Sequence, residues 1–196
     1  MSLNRNIYLE PEVRAVLRTA DVYQIENEVG TVGYSEKLLS IVASFSNSGK
    51  PDGYNARCMV GKSKRGEVAM GLYARVDPAS ERFEKVGFQS RGCLAMTACA
   101  SVIAQMLEGK SFEEALAISG DDIKNAVDGV PWNNVHTVYF ALEGVKALIG
   151  DYLIRSGASL TELDKQLYCD QKSVGCIMTE HCSMRDARVE LRLGLL

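Results

Sequence analysis

The sequence predicts an α+β fold, a three-stranded antiparallel sheet packed against several helices, and three observations carry that prediction. The run Leu94 to Leu107 carries no charged residue, and Ala95, Met96, Ala98, Cys99, Val102, Ile103, Met106 and Leu107 circle its axis, so it reads as a helix buried on every side. Three strand-like segments precede it. Several capped helical segments come after it.

In chain order, residues 1–30 form an N-terminal extension, with a helix start at Glu10-Pro11-Glu12 and a short apolar stripe of Val13, Val16 and Leu17. Residues 31–157 form the main domain. Tyr34-Ser35-Glu36-Lys37 opens a helix with Leu38, Leu39, Val42 and Phe45 on one side, and a polar loop runs from Ser46 to Gly53. The strands are expected at Tyr54 to Val60, Glu67 to Val76 and Arg82 to Gln89. A basic, glycine-bounded segment, Gly61 to Gly66, reads as a solvated hairpin loop. If Asp77 to Glu81 closes an antiparallel hairpin, counting back places Arg65 roughly opposite Cys93, with Glu67 at the same end of the sheet.

Gly109 and Lys110 end the apolar helix. Ser111-Phe112-Glu113-Glu114 is a capping box for a helix carrying Phe112, Leu116 and Ile118. Another short helix starts at Asp121-Asp122-Ile123. Asn133 or Asn134 is expected to cap a long helix with an apolar face of Val138, Leu142, Val145, Leu148, Ile149 and Tyr152. Residues 158–196 hold a last capped helix, opened by Ser159-Leu160-Thr161-Glu162, and a tail. The pattern fades after Leu167, so the domain is expected to fold without residues 168–196.

Composition narrows the class of function. The chain has 196 residues and a net charge of -3, with no basic stripe for nucleic acid. Its first residues lack the apolar core of a signal peptide, and no window has the length of a membrane span. The six cysteines are too sparse for a disulfide scaffold and include no Cys-x-x-Cys, so reduced cytoplasmic thiols are expected.

Chemistry concentrates at Cys93. It comes directly after the tight turn Ser90-Arg91-Gly92 and precedes the buried helix, where free backbone N–H groups and the helix dipole favour a thiolate. His136 falls in the first turn of the long helix, a place that favours the neutral, ligand-competent imidazole. Cys93, His136 and Glu67 together offer a thiolate, an imidazole and a carboxylate, a set suited to iron or zinc. Cys58 and Cys99 read as core residues. Cys169, Cys176 and Cys182 match no cluster spacing.

From Tyr34 to about Arg155 the chain resembles the iron–sulfur scaffold proteins of the IscU type, also found as the N-terminal domain of NifU. The resemblance rests on Tyr34-Ser35-Glu36-Lys37, on Phe88 through Gly92-Cys93, and on Gly109-Lys110-Ser111-Phe112-Glu113-Glu114-Ala115-Leu116. It continues through Asp122-Ile123, Gly129-Val130-Pro131, His136 and Gly150-Asp151-Tyr152. It implies an IscU/SufE-like fold and a carrier rather than an enzyme, with no catalytic residue. The cargo would be an iron–sulfur cluster or iron (zinc in the protein as isolated). The partners would be a cysteine desulfurase and recipient apoproteins, with neither nucleic acid nor membrane. The chain departs from the family's ligands. Cys-Gly-Asp appears as Arg65-Gly66-Glu67, and His-Cys as His136-Thr137, which leaves Cys93 as the retained thiolate. Val130-Pro131-Trp132-Asn133 lacks the second Pro and the Lys that the family's chaperone reads. His181-Cys182-Ser183 repeats the lost wording in the tail, which makes Cys182 a candidate cluster ligand.

Three functions are compatible with these residues. The first is a divergent cluster scaffold or carrier using Cys93, His136, Glu67 and Cys182. The second is a persulfide-accepting sulfur-transfer protein using Cys93, as in the related SufE proteins, with Arg65 stabilising the anion. The third is a partner-binding module without metal chemistry.

Overall fold

The computed structural model describes residues 33–62, 68–167 and 183–195. The expected roles of Arg65, Glu67, Cys169, Cys176, His181 and Cys182, and the helix start at Glu10, lie outside the described residues. Helix α1 (Glu36–Ala43) comes first, and strands β1 (Ala56–Lys62), β2 (Val68–Asp77) and β3 (Arg82–Ser90) come next. After the strands, the described residues form α2 (Leu94–Leu107), α3 (Phe112–Leu116), α4 (Gly120–Ala126), α5 (His136–Arg155), α6 (Leu160–Gln166) and α7 (Ser183–Arg192). A 3-10 turn, Trp132–Asn134, leads into α5. All these elements belong to one compact unit, Gly33–Leu196.

The sheet order is β1-β2-β3, and it is antiparallel throughout, as expected. Register runs from Ala56↔Ala74 to Lys62↔Val68 on one side of β2 and from Met70↔Ser90 to Arg75↔Lys85 on the other, with a bulge at Arg75/Val76. Asp77 closes the β2–β3 turn by accepting from the backbone N–H groups of Ala79 and Ser80. That is what a short acid does at the head of a turn. Every residue from Ala69 to Ala74 is buried, because β2 is the central strand.

Helix α2 packs mainly across β3, α5 across β1 and β2, and the two helices touch. Cys58, Val60, Met70, Leu72, Val86 and Phe88 meet Cys99, Ile103, Val145 and Leu148 in one core. The approach of α5 is close. A Cβ built on Gly144 would lie 2.9 Å from the end of the Met70 side chain, so a larger residue there would have to displace it. The capping boxes at Ser111/Glu114 and Ser159/Glu162 form, and a third, Ser119/Asp122, opens α4 just before the expected start.

Three expectations are corrected. Helix α3 is a single turn that leaves Leu116 exposed, and Ile118 packs from the loop beyond it. Neither Asn133 nor Asn134 caps α5, because the 3-10 turn runs straight into the helix and Val135 already has helical dihedrals. The pattern also does not end at Leu167. Helix α7 packs on α5, α6 and β1, with Met184 and Arg188 buried. A Cβ on Gly150 would overlap the Met184 side chain, so α7 seats on a notch in α5. Arg188 pairs with Asp164 and donates to the Leu167 carbonyl. Its place on the inward face, at helical spacing between Met184 and Leu191, interrupts the apolar stripe and hides the helix from a periodicity count.

Met184→Ala should therefore lower unfolding stability by about 3 kcal/mol in urea titrations, the usual cost of truncating a buried Met. A change within experimental error would show that α7 is not part of the core. The box carboxylates of Glu114, Asp122 and Glu162 are held below their ordinary range by the serine hydroxyl and backbone N–H bonds they accept. Depressed carboxylates contribute stability that is present above their unfolded values and lost as pH falls through the folded ones. Converting all three to the amides should flatten the fall in melting temperature between about pH 5 and pH 3.

Candidate functional site

Strand β3 hands over to α2 through a turn whose bonds are local. Arg91 N–H donates to Ala69 O at 2.9 Å, which ties the turn to β2. The Ser90 hydroxyl oxygen accepts from Gly92 N–H at 3.4 Å and from the Thr97 hydroxyl at 3.1 Å. Gly92 must be small, since a Cβ there would lie 2.7 Å from Met96. Cys93 then occupies the N-cap of α2 with extended dihedrals, and its side chain makes no capping bond. The sulfur is therefore available on the surface side, and Cys93 is partly exposed while Cys58 and Cys99 are buried.

Two residues distant in sequence meet that sulfur. Asn134, in the 3-10 turn before α5, is 9% exposed. Its amide nitrogen donates to Cys93 Sγ at 2.8 Å and to Tyr34 Oη at 3.1 Å. Tyr34 precedes α1, which is anchored by Ser35: the Ser35 side chain accepts from Leu38 N–H and donates to Val127 O at 2.8 Å. Burial, the charge of Cys93 and a hydrogen bond to it push the Tyr34 phenol up to about 12, so it stays protonated.

Beneath the sulfur the residues are structural. Thr137 is fully buried, donates to Asn134 O at 2.8 Å and lies 3.5 Å from Cys99 Sγ. Burial raises the Cys99 thiol to about 11. Cys58 donates to Gly144 O at 3.2 Å, linking β1 to α5.

The structure places Cys93 where the sequence predicted. His136 is the first residue of α5, exposed and edge-on to Phe140 at 5.6 Å between ring centroids. Among the described residues, no three His, Cys, Asp or Glu side chains converge as a metal site. Asn134 was missed because an Asn before a helix reads as a cap. Tyr34 was missed because it reads as the head of an opening helix. The usable signal for Asn134 was its place between the Pro131 turn and the apolar start of α5, where a polar side chain is buried and needs partners.

A strand-to-helix cysteine on a three-stranded α+β platform is the frame of a small sulfur- or metal-handling domain. Residues 33–159 match the family described as NifU-like N terminal domain, and the chain belongs to that family. It is 33% identical over 129 residues to the iron-sulfur cluster assembly scaffold protein IscU of Haemophilus influenzae, covering 64% of this chain and 100% of that one. It is 32% identical over 124 residues to IscU 1 of Archaeoglobus fulgidus, covering 63% and 79%. It is 30% identical over 146 residues to the nitrogen fixation protein NifU of Azotobacter chroococcum, covering 74% of this chain and 46% of NifU. Among the described residues no helix is long and apolar enough to cross a membrane.

At about pH 8, near the ordinary thiol range, time-resolved alkylation with peptide mapping should modify Cys93 well before Cys99 or Cys58. Prior labelling of either buried thiol would overturn the geometry of the turn.

Proposed function

We propose that this protein is a divergent iron–sulfur cluster scaffold or carrier, without catalytic activity of its own, that takes its cargo on Cys93. The observation that carries this is the uncapped, partly exposed Cys93 sulfur at the head of a buried helix, in a chain whose relatives are cluster scaffolds. His136 and Glu67 serve as auxiliary iron ligands, and the same donors accept zinc in the protein as isolated. A cysteine desulfurase supplies sulfur and apoproteins receive the cluster, in the cytoplasm.

A cluster needs four ligands, mostly thiolates, and Thr137 supplies none. Cys182 is the tail cysteine assigned to this role. The Cys182 substitution below tests that role.

A second reading, transfer of sulfane sulfur on Cys93, is favoured by the buried Asn134 amide that donates to Sγ, since a donor suits an anion better than a cation. Persulfide labelling with a cysteine desulfurase reports it directly.

Anaerobic reconstitution with iron and sulfide decides the first reading. Cluster absorption should disappear in Cys93→Ser, fall sharply in Cys182→Ser and change little in Cys58→Ser. Equal yields for parent and Cys182→Ser remove that residue from the site. Failure of the parent to bind iron at all removes the scaffold reading.

A further inference from the structure

The hydrogen bonds around Cys93 have a direction. The Asn134 amide has two hydrogens, and it gives one to Cys93 Sγ and the other to Tyr34 Oη. The sulfur thus acts as the acceptor of a buried amide. The amide is nine-tenths buried and anchored from behind, because the Thr137 hydroxyl holds the Asn134 carbonyl and the Asn134 N–H bonds Pro131 O at 2.8 Å. Asn134 is therefore fixed before any cargo arrives.

We propose that Asn134, with Tyr34 as its partner, is the positioning residue of the Cys93 site: its buried amide orients Sγ and holds it as a hydrogen-bond acceptor, which makes Cys93 the reactive thiol. This deepens the proposed use of Cys93 and rests on that reading. Neither residue bonds cargo through a ligand atom of its own. Each acts through the sulfur. A fixed donor holds the sulfur in one orientation with its lone pairs placed, so removing it slows attack on an electrophile. The arrangement also joins segments 100 residues apart, so the reactivity of Cys93 depends on the docking of α1.

The test is the rate of Cys93 alkylation by iodoacetamide at one fixed pH of about 7.5, read by peptide mapping on the full chain without iron. Asn134→Asp turns the donor into a carboxylate and should slow alkylation by about tenfold. Tyr34→Phe keeps the ring and removes the hydroxyl that accepts from the Asn134 amide, and should slow it by about threefold. Ser90→Ala alters the same turn without touching the sulfur and should leave the rate in place.

A purely structural Asn134 would lower the melting temperature and leave the Cys93 alkylation rate of the folded variant equal to the parent's, which overturns the proposal. An equal slowing for Ser90→Ala overturns it as well. If Asn134→Asp does not fold, Tyr34→Phe decides alone, and an unchanged rate sinks the idea. Because no iron is used, failure to hold a cluster leaves this result standing, and equal rates leave the cluster reading intact.

Discussion

Helix α2 carries no charge, and the need to cover it from Leu94 to Ala104 organises the domain. A helix of this kind leaves water only if other elements surround it. Here β2 and β3 lie on one side, with α1, α4 and α5 around the rest, and Leu94 to Ala104 is buried without interruption. The N-terminus is where the helix meets the surface, and Cys93 stands there. Bringing α5 against α2 also brings the turn before α5 to the same spot. Burying α2 and assembling the site are one event: the contacts that hide Cys99 deliver Thr137 and Asn134.

This explains the division of labour between two neighbouring thiols. Cys99, further along the same helix, faces the core, and desolvation keeps it protonated at neutral pH. Thr137 turns inward beside it and satisfies its hydroxyl on a carbonyl, as a buried hydroxyl must. Cys93 faces the other way and meets an amide and a phenol. Chemistry at this site is separated from packing by the direction each side chain takes, within one turn of α5.

Much of this could be read from the chain. The three strands and the β2–β3 hairpin followed from the strand-like segments and from the Asp77 turn. The bounds of α2 followed from an absence of charge, and Cys93 from its place between Gly92 and that helix. The strand edges moved by a residue or two because hydrogen-bonded ladders, not hydropathy, set where pairing stops. Two kinds of feature escaped. Asn134 has the residue type and position of a cap, and only the fold shows that the turn continues into α5 and frees its amide for a partner 41 residues away. Helix α7 carries a charge in the middle of its buried stripe, and a buried Arg188 is legible only once Asp164 and the Leu167 carbonyl are seen to receive it. Both are cases in which a polar side chain draws its meaning from a distant acceptor or donor.

The grip of Arg188 on Leu167 has a topological consequence. It fastens the residue before position 168 to the helix that begins at Ser183, so the chain between them is closed at its base instead of hanging from one end. Cleaving the backbone inside that interval would remove the tether and leave α7 held by the contacts of Met184, Arg188 and Leu191 alone. The last helix is, in physical terms, a ligand that the domain carries on its own tether, and its occupancy is set by the local concentration that the tether imposes.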